Sequence, residues 1–122
     1  MNVEVVLKEL GQKFPGEKIF RNDEKQPTEI ICEIEPTSEH PEYSVAVAVI
    51  DRSAPHFHHK TEEVYEVLKG ELDLYIDGKQ LKLKKGEKYT IKPGIKHCAV
   101  GQETWIKVTA RPGWKIEDHI LI

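Results

Sequence analysis

The chain has 122 residues, with 18 Lys and Arg against 21 Asp and Glu and a formal net charge of −3 at pH 7. A chain of that length buries roughly two thirds of its unfolded surface, enough for one hydrophobic core and too little for two, so the expectation is a single domain over residues 1–122. The small negative charge gives no general attraction to nucleic acid or to anionic membranes, so neither is expected as a partner.

The first element is "VEVVLKELGQKF", residues 3–14, the one helical candidate, in which Val5, Leu7 and Leu10 fit neither the helical nor the strand period cleanly. Glu4, Lys8 and Glu9 interrupt the apolar run that a secretory signal needs, and no stretch of about 18 apolar residues follows anywhere. Short segments with period-two alternation come next: "TEIICEIE" (28–35), "YSVAVAVID" (43–51) and "EVYEVLKG" (63–70). "ELDLYID" puts Leu72, Leu74 and Ile76 on one face, and Asp77-Gly78 is a strong hairpin turn into "KQLKLKKG", where Leu81 and Leu83 alternate with lysines. The lysine run "KLKKGEK" reads as a solvated hairpin edge that discourages strand addition. "KYTIKP" (88–93), "HCAVG" (97–101) and "TWIKVTAR" (104–111) complete the strands. Many short strands at close spacing argue for an all-β sandwich or barrel. The tail "RPGWKIEDHILI" holds the Pro112-Gly113 turn and an apolar end that packs back on the barrel, with Trp105 and Trp114 expected in the core.

The two cysteines, Cys32 and Cys98, have no CxxC spacing and are too few for a disulfide framework. They read as free thiols in a reducing compartment, which with the absence of a signal makes the expected location cytoplasmic. Cys98 adjoins His97 and points to the opposite face.

Chemistry concentrates in "HFHHKTEE", residues 56–63. Residues two apart in a strand share a face, so His56 and His58 point together into a barrel while Phe57 and His59 point away. That spacing suits two ligands on one metal, but two imidazoles alone bind most divalent ions weakly, so a further nitrogen and an oxygen are needed. Glu62 and Glu63 lie close enough to bring a carboxylate from the next strand, and His97, after the turn "KPGIK", offers the nitrogen.

These residues resemble the two motifs of the cupin superfamily, in its small single-domain form. His56, Phe57, His58, a four-residue spacer, Glu63, six residues and Gly70 follow the first motif, and the step to Gly70 selects Glu63 over Glu62. Gly86, Gly94 and His97 follow the second, with fifteen residues between Gly70 and Gly86. The match spans roughly residues 50–101 and departs at three scaffold positions: Ile50 for a leading glycine, Lys92 for the first proline of the second motif, and Gly101 for a closing asparagine. The resemblance implies a double-stranded β-helix, or jelly-roll cupin barrel, with at most one short N-terminal helix and often a homodimer made by exchange of edge strands.

It also implies one divalent transition metal ion (Fe, Mn, Ni, Co or Zn) on His56, His58, Glu63 and His97. Tyr65 shares the parity of Glu63 and lines the pocket, His59 stays outside the ligand set, and Asp118 and His119 read as a solvated tail pair. Three imidazoles and one carboxylate leave two coordination positions open in a six-coordinate ion. Such a centre polarises a carbonyl or enediolate oxygen in isomerase, epimerase or lyase chemistry, or binds substrate and dioxygen together in dioxygenase chemistry. The leading expectation is therefore a metal-dependent enzyme acting on a chelating, oxygen-rich small metabolite. The alternatives are a non-catalytic small-molecule-binding or sensor cupin and a storage cupin. No catalytic residue outside the metal shell is named by the sequence.

Overall fold

A computed structural model describes residues 1–122 and contains one helix and ten strands. The helix α1, Val3–Lys13, starts at Asn2, whose side-chain oxygen accepts from the Val5 N–H at 3.3 Å. The strands are β1 (Ile19–Arg21), β2 (Glu29–Glu35), β3 (Ser44–Arg52), β4 (His56–Phe57), β5 (Glu62–Lys69), β6 (Glu71–Ile76), β7 (Lys79–Lys84), β8 (Lys88–Ile91), β9 (His97–Arg111) and β10 (Ile120–Leu121). A single 3₁₀ turn, Ile116–Asp118, precedes β10.

Every pairing is antiparallel, and β9 organises them. Its C-terminal half pairs with β3 on one side and β5 on the other, giving one layer in the order β1-β2-β3-β9-β5-β8. Its N-terminal half pairs with β6 and β4, giving a second layer in the order β7-β6-β9-β4-β10. The sheet thus curls over on itself into a jelly-roll half-barrel. The two strands expected from "HCAVG" and "TWIKVTAR" are one strand that crosses between layers, bent near Glu103, whose φ is +46°.

The inner faces meet in one core. Ile50, Tyr65, Val67, Ile91 and Ile106 of the first layer pack against Leu72, Leu74, Ile76, Leu83 and Ala99 of the second. Alternation explains the choice, because the expected face of β6, Leu72, Leu74 and Ile76, is the buried one. A second core lies outside the first layer, where Val6 and Leu10 of α1 pack on Ile30, Cys32, Val47, Val49 and Trp105. The helix therefore buries a narrow stripe, and Lys13 lies over the Trp105 ring at 5.0 Å. Asp77 and Gly78, with φ of +48° and +81°, make the hairpin turn between β6 and β7. The lysine-rich β7 is a sheet edge, paired only with β6. No helix is long and apolar enough to cross a membrane, and both cysteines are free thiols.

Candidate metal centre

The open end of the half-barrel gathers residues from three strands. His56 on β4 is the cross-strand partner of His97 on β9, His58 lies two residues beyond His56, and Glu63 stands near the start of β5. The His58 carbonyl accepts from the Gly94 N–H at 2.6 Å, which ties the loop after β4 to the turn before His97. All four side chains are buried, at 5% (His56), 3% (His58), 4% (Glu63) and 3% (His97) exposure. One potential ligand atom from each lies within 4.8 Å of all the others.

The imidazoles are oriented by backbone. Nδ1 of His56 bonds the Ala54 carbonyl at 2.8 Å, that of His58 the Asp118 carbonyl at 3.0 Å, and that of His97 the Ile95 carbonyl at 2.9 Å. A carbonyl only accepts, so each Nδ1 carries the proton and each Nε2 presents a lone pair. Nε2 of His58 and of His97 approach the same oxygen, Glu63 Oε1, at 3.1 and 3.3 Å. Neither is aligned for a hydrogen bond, so His58 Nε2, His97 Nε2 and Glu63 Oε1 are buried without a partner. Unpartnered buried polar atoms are costly. Three neutral imidazole nitrogens and a carboxylate converging in this way fit a divalent transition metal ion.

Electrostatics divide the group. Burial, followed by the neighbouring His97, lowers the His56 imidazole to about 4. Burial also works against charge on His58, but Glu63 and the Asp118 carbonyl outweigh it and leave that imidazole raised. For Glu63 burial opposes ionisation, yet His58 and His97, when no ion is bound and their Nε2 atoms take up protons, hold its carboxyl down at about 2. Tyr65 is 5% exposed with its ring 6.0 Å from that of His97, and burial raises its hydroxyl well above its usual range.

The residues expected to face away do so. His59 is exposed, and Glu62 pairs with Lys92 at 2.7 Å. The tail corrects two expectations. Asp118 and His119 are not a solvated pair: the Asp118 carboxylate accepts from the N–H groups of His59, Lys60 and Thr61 at 3.0 to 3.2 Å. The His119 ring stacks on His56 with centroids 4.3 Å apart. Trp114 is not a core residue but is 41% exposed, and its indole N–H donates to His119 Nδ1 at 3.4 Å. Residues 114–119 are thus a strap across the centre, held by β10 pairing with β4. Nothing local in the sequence signals this, because the strap lies some 60 positions from His58. A cavity of about 650 Å³ lies beside α1 against Glu9, Asp51, Lys69, Glu103 and Trp105, and none of the four side chains borders it.

The family model described as "Cupin domain" matches residues 44–104, and the chain belongs to the cupin family. No curated protein sequence matches. Among solved structures, a single-residue variant of Streptomyces PAC13 with uridine superposes with a TM-score of 0.77 at 14% identity, covering 89% of this chain and 87% of that one. Another Pac13 structure is described as that of a nucleoside dehydratase. A protein from Planctomyces limnophilus gives a TM-score of 0.75 at 21% identity, covering 88% of this chain and 92% of that one. An iron(II) form of HppE gives 0.68 at 13% identity, covering 79% of this chain and 56% of that one. At these identities the likeness is one of fold.

Proposed function

We propose that the chain is a metal-dependent enzyme in which His56, His58, Glu63 and His97 hold one divalent transition metal ion. Its substrate is a chelating, oxygen-rich small metabolite such as a keto sugar, a diketone or a hydroxy acid. The observation that carries the reading is the convergence of His58 Nε2, His97 Nε2 and Glu63 Oε1, all buried and without hydrogen-bond partners. When bound, the ion supplies Lewis-acid polarisation for isomerase, epimerase or lyase chemistry, or a site for dioxygen in dioxygenase chemistry.

The protein's own part is orientation and exclusion of water. The carbonyls of Ala54, Ile95 and Asp118 fix the three rings in the tautomer that presents Nε2. Burial of all four side chains keeps bulk water from the centre, and Tyr65 lines it beside His97. The dehydratase description of Pac13 and the iron(II) form of HppE agree with an enzyme on this fold. The reading includes a homodimer in the cytoplasm, in which the free edge of β1 with exposed Phe20 would be covered.

Metal analysis by mass spectrometry tests the proposal. Protein from minimal medium should carry about one equivalent of transition metal, and His58→Ala should fall below about a tenth while still melting cooperatively. Wild-type protein that holds less than about a tenth of an equivalent and takes up none on reloading would end the proposal.

A further inference from the structure

A carboxyl group outside the cluster shares the same interior. Glu29 opens β2, where Ile30 and Cys32 point outward under α1. Alternation sends Glu29 and Ile31 to the opposite face, and Ile31 packs on the interior core with Ile50 and Tyr65. The Glu29 N–H donates to Asn22 Oδ1 at 3.1 Å, but its carboxyl makes no hydrogen bond and no ion pair. The nearby charges are committed elsewhere or exposed. Arg21 and Arg52 are exposed, and Asp51 binds the Met1 ammonium at 2.8 Å. The residue is half-buried, at the N-terminal end of β2 where Asn22 and Thr28 close the turn.

The field it feels comes from the centre. Glu63 acts on Glu29, and Glu63 and Glu29 both act on the hydroxyl of Tyr65, whose ring lies 6.0 Å from that of His97. Burial first, then repulsion by Glu63, pushes the Glu29 carboxyl up to about 7. A carboxyl lifted into the neutral range gives and takes a proton with similar ease there.

We infer that Glu29 is the catalytic acid–base group of this interior, exchanging a proton with a small hydroxy-carbonyl substrate seated between it and the four-residue centre. The inference rests on the metal-enzyme reading and narrows it to proton transfer, that is isomerisation or elimination rather than oxygenation. The Glu29 carboxylate takes the proton from the carbon beside the substrate carbonyl. The C–H electron pair becomes a C=C bond, and the carbonyl π pair moves onto oxygen. The protonated Glu29 then gives its proton to the former carbonyl carbon while the adjacent hydroxyl proton passes to the former carbonyl oxygen, which yields the isomer. Alternatively it gives the proton to a departing hydroxyl on the next carbon, which releases water. Neither course consumes an oxidant or a reductant.

The test uses the full chain loaded with zinc. Deuterium uptake from solvent into dihydroxyacetone, hydroxyacetone and fructose is followed by proton NMR for wild type, Glu29→Gln and Glu29→Asp, with zinc content measured in parallel. Wild type should exchange the C–H beside the carbonyl with a rate that rises with pH as the Glu29 carboxyl ionises. Glu29→Gln should exchange about 100-fold more slowly at unchanged zinc content, and Glu29→Asp should recover part of the rate. Carbon-13 NMR of labelled glutamate carboxyls in the same zinc protein should show one signal titrating above the ordinary carboxyl range, as burial of Glu29 requires, that is missing in Glu29→Gln.

The inference is overturned by wild-type exchange in Glu29→Gln, by zinc content that falls in step with the rate, or by no carboxyl titrating above the ordinary range. It is equally overturned by zinc-loaded wild type that exchanges none of the three probes, an outcome that leaves the metal centre standing. Wild type that takes up no zinc fails at the earlier step and removes both readings.

Discussion

Asp118 serves the loop after His58 as a capping residue serves a helix. Its carboxylate accepts three successive N–H groups, from His59, Lys60 and Thr61, which would otherwise lack partners at a turn. Burial opposes its ionisation, but the N–H groups outweigh it and hold the carboxyl below its usual range. Its own carbonyl fixes Nδ1 of His58 at 3.0 Å, so one residue sets both the path of the loop and the tautomer of a proposed ligand. Partners of this kind are worth ten- to a hundredfold in metal affinity. Asp118→Ala is therefore expected to weaken zinc binding by about that factor while the fold persists, and Asp118→Asn, which keeps one acceptor oxygen, to lose less. Chelator competition measures both, and equal affinity in all three proteins would show that the strap does not support the centre. At this scale the sequence was legible where chemistry followed a period. His56 and His58 are both buried and His59 is exposed, although β4 ends at Phe57, and Glu63 rather than Glu62 turns inward. Asp118, His119 and Glu29 escaped because their roles come from tertiary placement, with no spacing that relates them to the histidines.

The element that decides the architecture is β9, which is long enough to belong to both layers. Its sequence reads as two strands because "GQE" interrupts the alternation, yet pairing with β3 is made on both sides of a register shift at the corner, at Val100 and at Thr104. Three residues make the bend. Glu103 takes a positive φ while its N–H donates to Asp51 Oδ1 at 2.8 Å, and the buried Thr104 hydroxyl donates to the Glu71 carbonyl. Gly101 lets that hydroxyl in, since a Cβ there would lie 2.4 Å from Thr104 Oγ1 and 3.0 Å from the Ile50 carbonyl oxygen. The departure from the motif is explained by the same contact, because an asparagine at 101 has no room beside Thr104. Gly101→Ala should cost about 1–3 kcal/mol, read as a lower urea midpoint at unchanged slope. In a Gly101→Ala, Thr104→Ser pair most of the loss should remain, because the hydroxyl that clashes is kept. The helix α1 was harder to read for a related reason: it buries only Val6 and Leu10 fully, a stripe too narrow to impose a clear period.

The whole molecule keeps its folding and its proposed chemistry in different places. The interior core, from Ile50 to Ile106, and the second core under α1 are apolar and contain none of the four convergent residues. In a protein of this kind the ion stabilises a fold that already exists, unlike small zinc modules whose only core is the metal. Linkage gives the size of the effect. Zinc at a hundred times its dissociation constant adds about 2.7 kcal/mol to unfolding, provided the unfolded chain does not compete for it. For a chain of this length that corresponds to a rise in Tm on the order of 10 °C. The gain should have a source that can be removed, because replacing His58 by alanine takes away one of the converging nitrogens. Zinc should therefore raise the Tm of wild type and not of His58→Ala, and excess chelator should reverse the rise without changing the strand signal in far-ultraviolet circular dichroism. A chelated protein that loses cooperative melting would mean that the centre, and not the apolar interior, holds the two layers together.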